Sequence, residues 1–268
     1  MTIDKIGLIG CGNMGSAFVK GWLKHDSAMA SRIIVADVYP EAAEKLSKET
    51  GVRVAGGNAE LAEGSDLVLL AVKPNDVEAA IAGIASFFGR GKILASVAAG
   101  RTIAFIEALF SEDVPVFRMM PNVAVEVCAG TICFAVGSKV DPETEEQVYE
   151  LFSHLGRVVP LTEKLFAPAT AIAGSGPGFM AVIVDAFVDA GVMAGLPGGV
   201  ARELTYSMLA GTAALLVEAG LSPSELRHIV TSPAGTTAAG ISQLERDGIR
   251  SAIIDSVQVT VDRAIELG

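Results

Sequence analysis

The sequence predicts an α/β fold in which a doubly wound parallel sheet is followed by an all-helical region. From Ile3 to about Pro160, short apolar runs alternate with helical patterns, as in sheets built with crossover helices. The runs are apolar at consecutive positions, which is typical of strands covered by helices on both faces. After Pro160 no convincing strand pattern occurs, and Ala-rich stretches end at prolines and glycines.

Each element follows from a local pattern. The predicted strands are KIGLIG, RIIVAD, DLVLLAV, KILASV and VPVFRM, with helices that include Gly15–His25, Glu41–Thr50 and Asn75–Phe87. GTICFAV and RVVPL are further strands, and DPETEEQVYELFSHLG between them is a helix with Asp141 as N-cap and Pro142 in first position. The domain boundary is predicted between residues 160 and 161.

Composition excludes several classes of partner. The 268 residues are 51% hydrophobic, enough for a sizeable core, and the formal net charge of -11 repels nucleic acid and anionic lipid. We therefore expect no nucleic acid and no membrane partner. The cysteines, Cys11, Cys128 and Cys133, lack the spacing of a metal or redox pair. Asp4 and Lys5 interrupt any N-terminal targeting pattern, so a cytoplasmic location is predicted.

The most apolar stretch, Gly178–Leu196, approaches the length of a membrane-spanning helix. It contains Asp185 and Asp189 and is followed by Pro197, which favours a buried helix of a soluble domain. No His or Glu lies near the two aspartates in sequence, so no metal site is predicted. The apolar content of the C-terminal region indicates that much of its surface is buried against another subunit.

A glycine-rich motif directly follows the first predicted strand. GCGNMG places Gly10, Gly12 and Gly15 as G-x-G-x-x-G at the opening of a helix. These glycines permit a tight turn, close approach of a pyrophosphate and strand-to-helix packing, while helix N-terminal amides face the anion. The motif predicts a dinucleotide site; the alternative is a glycine-rich turn in a fold that has lost its nucleotide.

Asp37 ends the second strand, where a carboxylate accepts hydrogen bonds from the adenosine ribose hydroxyls. The same charge repels a 2'-phosphate, and DVYP supplies neither Arg nor Lys to receive one. We therefore predict NADH or NADPH as cofactor, with NADH favoured. Arg32 and Lys45 are the cations that could still reach a 2'-phosphate.

Other loops follow strands at the edge where open sheets bind ligands. Lys73 in AVKP is either a catalytic amine or, as Pro74 favours, part of a turn that packs against the nicotinamide ribose. Asn58 follows a Gly-Gly pair, and SVAAG, which contains Ala98, offers small residues to a flat ring. Both segments, and the RMMPN segment ending at Asn122, are equally compatible with plain turns.

The sequence offers no obvious catalytic base. His25, His154 and His228 are interpreted as surface or packing residues, and no lysine follows Lys164. Dehydrogenases that act on alcohols need an acid or base at the oxygen, usually His or Lys. A protonated imine needs only the hydride, so the sequence favours an imine substrate.

The polar segment IVTSPAGTT precedes a helix predicted to begin near Thr236. Free amides of that helix, with the hydroxyls of Ser232 and Thr237, can bind a carboxylate without any Arg or Lys. Pro233 and Gly235 would shape the approach. The alternative is a simple Ser/Thr N-cap, which needs one hydroxyl.

Seven motifs together, GCGNMG, AVKP, SVAAG, RMMPN, AGSGPGF, DAGVMAGLP and TSPAGTT, resemble the pyrroline-5-carboxylate reductase family along nearly the whole chain. The resemblance implies a Rossmann-like dinucleotide-binding domain over 1–160 and a helical dimerisation and substrate-binding domain over 161–268. It also implies a homo-oligomer built from dimers through the C-terminal helices. The implied reaction is hydride transfer from NAD(P)H to the ring imine of 1-pyrroline-5-carboxylate, giving L-proline in the last step of proline biosynthesis.

The resemblance and the arguments above assign the site residues. The cofactor-binding residues are Ile9, Gly10, Cys11, Gly12, Asn13, Met14, Gly15, Asp37, Asn58, Ala71, Val72, Lys73, Pro74 and Ala98. The residues implied to hold the substrate carboxylate are Ser232, Gly235, Thr236 and Thr237, with Thr237 also close to the ring nitrogen as the catalytic candidate. Two motifs depart from the family pattern: Gly178 and Phe179 stand where a Tyr is common, and Ala234 replaces a Gly.

Two other functions remain open. A hydroxyacid dehydrogenase of similar build would be expected to supply a catalytic Lys from its second domain, and this chain has no lysine after Lys164, close to the start of that domain. A non-catalytic dinucleotide-sensing protein would keep the cofactor loop while the late loop has no ligand.

Overall fold

The computed structural model describes residues 3–89 and 91–266, and its N-terminal part is an eight-stranded sheet. The strands are β1 (Ile6–Ile9), β2 (Ile33–Ala36), β3 (Arg53–Val54), β4 (Leu67–Leu70), β5 (Ile93–Ser96), β6 (Val116–Pro121), β7 (Gly130–Val136) and β8 (Gly156–Pro160). Their order is β3-β2-β1-β4-β5-β6-β7-β8. All neighbours run parallel except β6 and β7, so the predicted doubly wound sheet is confirmed with one antiparallel pair.

The described residues also form α-helices between and after the strands. Those around the sheet are α1 (Asn13–His25), α2 (Pro40–Thr50), α3 (Asn58–Glu63), α4 (Val77–Ala82), α5 (Ile103–Glu107), α6 (Pro142–Ser153) and α7 (Phe166–Ala169). The later ones are α8 (Gly176–Met193), α9 (Gly198–Val217), α10 (Pro223–Ile229), α11 (Thr236–Arg246) and α12 (Ile249–Glu266). No strand lies among the described residues after Pro160, as expected.

Helix ends follow local chemistry. The side chain of Asp141 accepts the Thr144 amide, and Pro142 stands in the first position of α6, as predicted. α10 begins with a capping box between Ser222 and Glu225. α2 is followed by its C-cap Gly51, whose φ of 78° is a left-handed conformation that glycine adopts without steric cost.

The sheet region differs from the sequence prediction at two places, one predicted helix and one strand that was not predicted. The helix predicted over Asn75–Phe87 is broken: α4 ends before Gly83, and 3-10 turns lie on either side, at Pro74–Asp76 and Ala85–Phe87. Glycine is a weak helix former, and Gly83 follows the last residue of α4. The short strand β3 is additional, because two residues that begin with an exposed Arg53 provide no apolar run.

Both faces of the sheet are covered by apolar clusters. All four residues of β1, β2, β4 and β5 are buried, which explains why these strands are apolar at every position. On the face of α1 and α6, Phe18, Trp22 and Phe152 pack edge to face or tilted. Burying an aliphatic or Phe side chain stabilises a fold by about 1.5–3 kcal/mol, so this cluster is a major contribution.

The chain folds into two compact units. The sheet unit contains the residues up to Gly174 and those from Thr260 onward, and the helical unit is Ser175–Val259. This division falls later than the predicted boundary at 160/161, because residues 163–173 pack on the sheet unit. Phe166 is buried in its apolar cluster, and the Arg118 guanidinium pairs with Glu163 at 2.8 Å.

The helical unit buries very little of its own apolar surface. In residues 175–259, all of which the structure describes, Ala201 is the buried hydrophobic residue and Thr205 the buried polar one. α8 has no buried residue, and its Phe187 is 50% exposed. The prediction of a buried helix is therefore wrong for the single chain, because α8 packs on α9 without burying any of its residues fully. By length and composition, the helical stretch Glu163–Met193 could also cross a membrane.

Candidate active site

Each glycine of the first motif has a distinct steric reason. Gly10 has a φ of 102°, and a Cβ atom there would clash with the Ala71 carbonyl oxygen. A Cβ atom at Gly15 would clash with the Gly10 carbonyl oxygen. A Cβ atom at Gly12 would have no neighbour within 4 Å. The tight turn and the close strand-to-helix packing are thus present, while the space at Gly12 is open for a ligand.

The start of α1 leaves backbone donors unused. α1 begins at Asn13 with Gly12 as N-cap, and no side chain caps it. In the part of the chain that the structure describes, no acceptor faces the amides of residues 12–14. Amides at a helix N-terminus attract anions, so the geometry suits a phosphate group.

Asp37 lies beside this loop at the end of β2. Its Oδ2 accepts the Cys11 amide at 2.6 Å and its Oδ1 accepts the Tyr39 amide at 2.9 Å. Burial, together with the charge of Asp37, raises the pKa of the Cys11 thiol to about 12. The thiol is therefore neutral and adds no charge next to the proposed phosphate site.

The remaining predicted cofactor residues meet at the same edge of the sheet. The Ala71 amide donates to the Ile9 carbonyl at 2.8 Å, so the AVKP segment follows β4 next to the glycine loop. Asn58 begins α3 after the end of β3. Ala98 follows β5 but is 3% exposed, so any ring that approaches it would meet backbone or a neighbouring residue. Ile9 is buried, and Val72 and Met14 are half-buried.

Lys73 lies in a turn rather than in a cavity. It is exposed and precedes a 3-10 turn at Pro74–Asp76, in which its carbonyl accepts the Asp76 amide at 2.9 Å. Arg101 Nε donates to the Pro74 carbonyl at 2.8 Å and holds the turn. The turn that Pro74 favoured is present, and its contact with a nicotinamide ribose stays a prediction.

The two cations considered for a 2'-phosphate are placed differently. Arg32 precedes β2 at the opposite edge of the sheet, where its guanidinium donates to the carbonyls of Ile3 and Asp4. It is therefore excluded as a partner near Asp37. Lys45 lines a cleft of about 470 Å³ beside the glycine loop, together with Gly12 and Asn13.

The late polar loop lies in the helical unit. α11 begins at Thr236 as predicted, but its N-cap is Gly235 and no side chain caps it. The simple Ser/Thr N-cap is therefore wrong. In the described part of the chain, the hydroxyls of Ser232, Thr236 and Thr237 have no hydrogen-bond partner. Three free hydroxyls and free helix amides suit an anionic ligand.

The turn before α11 explains its glycine and contains a strained residue. The Gly235 amide donates to the Ser232 carbonyl at 3.1 Å, and a Cβ atom at Gly235 would clash with Ser232 Oγ. Ala234 has a φ of 57°, in the left-handed region that favours glycine. Ala234 is also where the chain departs from the family pattern, so this loop carries strain that a glycine would not.

Three other groups have structural roles. His25 and His154 stack with ring centroids 4.0 Å apart, and burial, followed by the charge of His25, lowers the pKa of His154. Asn122, considered as a plain turn, is 9% exposed and bridges the Thr131 amide and the Ala173 carbonyl. His228 is exposed near the end of α10.

Sequence reasoning missed two contacts that hold the glycine loop. Ser16 Oγ donates to the Cys11 carbonyl at 2.9 Å, and the Asp37 carboxylate accepts the Cys11 amide. Ser16 directly follows GCGNMG, so a hydroxyl one turn into the helix is a signal that could have indicated the first contact. The second joins residues 26 positions apart, and no local pattern indicates it.

Comparison with known proteins adds a decisive observation to this geometry. A protein of Methanosarcina acetivorans named pyrroline-5-carboxylate reductase is 35% identical over 268 residues, which are 100% of this chain and 99% of that protein. The chain belongs to the pyrroline-5-carboxylate reductase family. A family model described as pyrroline-5-carboxylate reductase dimerisation matches residues 163–267, and one described as NADP oxidoreductase coenzyme F420-dependent matches residues 5–100.

Solved structures agree with this assignment. A pyrroline-5-carboxylate reductase from Coxiella burnetii has a TM-score of 0.90 at 29% identity and covers 100% of this chain and 99% of its own. A Plasmodium falciparum pyrroline carboxylate reductase with NADP bound has a TM-score of 0.89 and the same coverage; at 24% identity it shows the fold alone. The family resemblance, the Rossmann-like fold with a helical dimerisation domain, and the class of NAD(P)H-dependent oxidoreductases are thus confirmed.

Proposed function

We propose that the chain transfers a hydride from NADH or NADPH to the C=N bond of 1-pyrroline-5-carboxylate and forms L-proline, the last step of proline biosynthesis. The observation that carries this proposal is the set of free hydroxyls at Ser232, Thr236 and Thr237 beside the uncapped start of α11. A substrate with one carboxylate and one ring nitrogen matches such donors. The activity of an alcohol-forming dehydrogenase fits this chain less well, because it needs an acid or base at the oxygen. Residues 165–268 contain no lysine, and His228 is exposed.

The chemistry needs little from the protein beyond orientation. The C4–H bond of the dihydronicotinamide breaks, its electron pair forms a C–H bond at the imine carbon, and the π electrons move to the nitrogen. Because the imine arrives protonated, that nitrogen already holds its proton and no base acts. In the proposal Ser232, Gly235 and Thr236 hold the carboxylate at the positive end of the α11 dipole. Thr237 lies close to the ring nitrogen and orients it for transfer.

The cofactor is assigned to the carboxyl edge of the sheet. The pyrophosphate would bind the amides at the start of α1, with Asp37 on the adenosine ribose and the Asn58, Ala71–Pro74 and Ala98 segments along the rest of the dinucleotide. Two amides already bind the Asp37 carboxylate, and its charge disfavours a 2'-phosphate. We therefore propose NADH as the preferred cofactor, with Lys45 as the residue that could moderate the preference.

We also propose that a second copy of the chain covers the exposed surface of the helical unit, giving a cytoplasmic homo-oligomer built from dimers. The apolar face of α8 and α9 includes Val182, Phe187 and Leu204, each at least half exposed. A membrane is a poorer partner, because α8 contains Asp185 and Asp189 and the net charge of -11 repels anionic lipid. We propose that residues 1–160 bind the dinucleotide and that residues 161–268 serve dimerisation and substrate binding.

The first experiment follows the absorbance of NADH with purified protein and 1-pyrroline-5-carboxylate. We expect rapid oxidation with the imine and none with a 2-oxo acid of similar size. Repeating the assay with NADPH tests the role of Asp37, since equal or better efficiency with NADPH would contradict it. Measurable NADH binding without oxidation by the imine would leave the glycine loop in place and refute the late loop as a substrate site.

A further inference from the structure

We infer that Asp37 positions the phosphate-binding loop in addition to meeting the adenosine ribose, and so acts on the whole dinucleotide. The inference rests on the proposed cofactor site and deepens it. Its basis is that the carboxylate joins two segments that are 26 residues apart in the chain, at a Cys11 amide to Asp37 Oδ2 distance of 2.6 Å.

The hydrogen bond determines which way the loop faces. The Cys11 amide points at Asp37, whereas the next amides, those of residues 12–14, have no acceptor in the described part of the chain. Because the Cys11 amide is bound to Asp37, the donors available to a ligand are the amides of residues 12–14. A hydrogen bond to a charged acceptor is stronger than a neutral one, so Asp37 is a firm anchor for this orientation.

Other contacts also hold the loop, but none of them binds the Cys11 amide. Gly10 packs against the Ala71 carbonyl, and its own amide donates to Ala36 at 2.9 Å. Ser16 Oγ binds the Cys11 carbonyl. The acceptor of the Cys11 amide is the Asp37 side chain, and removing that side chain leaves the amide without this partner.

Asp37 also holds the segment that follows it. Its Oδ1 accepts the Tyr39 amide at 2.9 Å, immediately before Pro40 begins α2. Each carboxylate oxygen thus accepts one amide and keeps a lone pair for a ribose hydroxyl. Two bound amides also reduce the repulsion between this carboxylate and a pyrophosphate nearby. A single side chain therefore links phosphate recognition to ribose recognition.

The chain contains a matched control at the opposite edge of the sheet. Asp66 Oδ2 accepts the amides of Asp4 at 2.9 Å and Lys5 at 2.8 Å. Asp37 and Asp66 each satisfy two backbone amides and precede or follow a strand of the same sheet. Asp66→Ala therefore reproduces the loss of two amide acceptors without touching the cofactor edge.

The test uses a ligand that lacks the adenosine ribose. Oxidised nicotinamide mononucleotide, which lacks the dihydronicotinamide fluorophore, carries a phosphate for the glycine loop, and its binding is measured by its displacement of fluorescent NADH. For Asp37→Ala we expect the Kd of both NADH and the mononucleotide to rise about tenfold or more. Asp37→Asn keeps one acceptor and should fall between Asp37→Ala and the unmodified chain.

The controls separate this inference from a structural effect and from the proposed reaction. Asp66→Ala should lower the melting temperature and leave both Kd values unchanged. If Asp37→Ala weakens NADH while the mononucleotide Kd stays constant, Asp37 acts on the ribose alone and the inference is overturned. Because binding is measured without the imine, failure of turnover would refute the proposed reaction and leave this result intact.

Discussion

The sheet unit and the helical unit differ in how far they bury their apolar residues. In the sheet unit, strands such as β1 and β4 are buried at every position and the cluster around Trp22 is closed. In the helical unit, Ala201 is the buried hydrophobic residue among residues 175–259, while Phe187 and Leu204 are half exposed or more. The first unit forms a closed core, and the second has large apolar side chains that are exposed in the described residues.

This difference indicates what fixes the geometry of the cofactor loop and of the late polar loop. The cofactor loop belongs to a unit whose backbone is fixed by its own packing, as the close approach of Gly10 and Ala71 shows. The late loop belongs to a unit whose largest apolar surfaces are exposed. Contiguous exposed patches on soluble proteins mark interaction surfaces. We therefore expect the late loop, unlike the cofactor loop, to depend on assembly.

The largest effect is expected from a charge on the apolar surface of α8. Phe187→Glu would place an unpaired carboxylate in the proposed interface, and burying such a charge costs several kcal/mol. We expect the protein to change from an oligomer to a single-chain mass in light scattering, with imine reduction lost. NADH binding should persist, because the sheet unit holds that site.

Phe187→Leu is the conservative control for this variant and should retain the oligomer. An oligomer of unchanged mass in Phe187→Glu would show that the exposed surface of α8 is not the interface. Loss of NADH binding together with loss of the oligomer would contradict the independence of the sheet unit.

The next effect separates two glycines of one motif. Gly15→Ala forces a Cβ atom against the Gly10 carbonyl and should cost about 3 kcal/mol of unfolding free energy. Gly12→Ala meets open space, so stability should change by less than about 1 kcal/mol. Its methyl group occupies the ligand space, and we expect the NADH Kd to rise at least tenfold. Denaturant titration and NADH fluorescence measure the two quantities; equal destabilisation by both variants would refute the distinction.

The contrast also explains what the sequence could predict of the fold. GTICFAV predicted β7 to the residue, since an uninterrupted apolar run in a covered sheet is a local signal. The sequence of β3 contains no such run. The end of α4 before Gly83 was not predicted, because one glycine does not always interrupt an otherwise helical pattern. For α8 the composition predicted a buried helix, which is wrong for the single chain, because an apolar composition does not indicate what covers the helix.

A smaller effect is expected at the catalytic candidate in the late loop. Thr237→Ala removes one orienting hydroxyl and should lower kcat/KM for the imine by on the order of 10²-fold or less. Thr237→Ser keeps the hydroxyl and should restore most of the rate. In Thr231→Ala the lost hydroxyl is already bound to the Arg227 carbonyl, so we expect lower stability with little change in kcat/KM. An unchanged rate in Thr237→Ala would move the site elsewhere.

The candidate site was predictable where its chemistry is local. Gly10 and Gly15 of GCGNMG have the steric roles that their spacing indicates, the approach of a pyrophosphate to Gly12 stays a prediction, and α11 begins at Thr236 as the polar loop implied. The bond between Asp37 and Cys11 was not predictable, because it depends on the three-dimensional path of two loops. The position of Arg32 at the opposite edge was predictable, because RIIVAD places it before the strand that Asp37 ends, whereas its hydrogen bonds with the carbonyls of Ile3 and Asp4 were not.

The smallest effect compares one substitution at two backbone conformations of the helical unit. Ala234→Gly relieves a left-handed conformation that costs a non-glycine residue about 1 kcal/mol or more, and this gain is offset by the entropy of glycine in the unfolded chain. We expect the free energy of unfolding to stay constant or rise by less than about 1 kcal/mol. Ala239→Gly lies in α11 at an exposed position, where glycine costs about 1 kcal/mol.

The difference between these two variants isolates the strain, because side-chain loss is the same in both. A denaturant titration in which Ala234→Gly destabilises the protein as much as Ala239→Gly would refute a strained turn at Ala234. If the two variants differ in stability as expected, the kcat/KM of Ala234→Gly shows what fixes the conformation of the late loop. A lower kcat/KM in the relaxed Ala234→Gly variant would mean that the alanine restricts the loop to the conformation in which Ser232 and Gly235 face the substrate. An unchanged value would mean that assembly of the helical unit, rather than the local turn, fixes this loop.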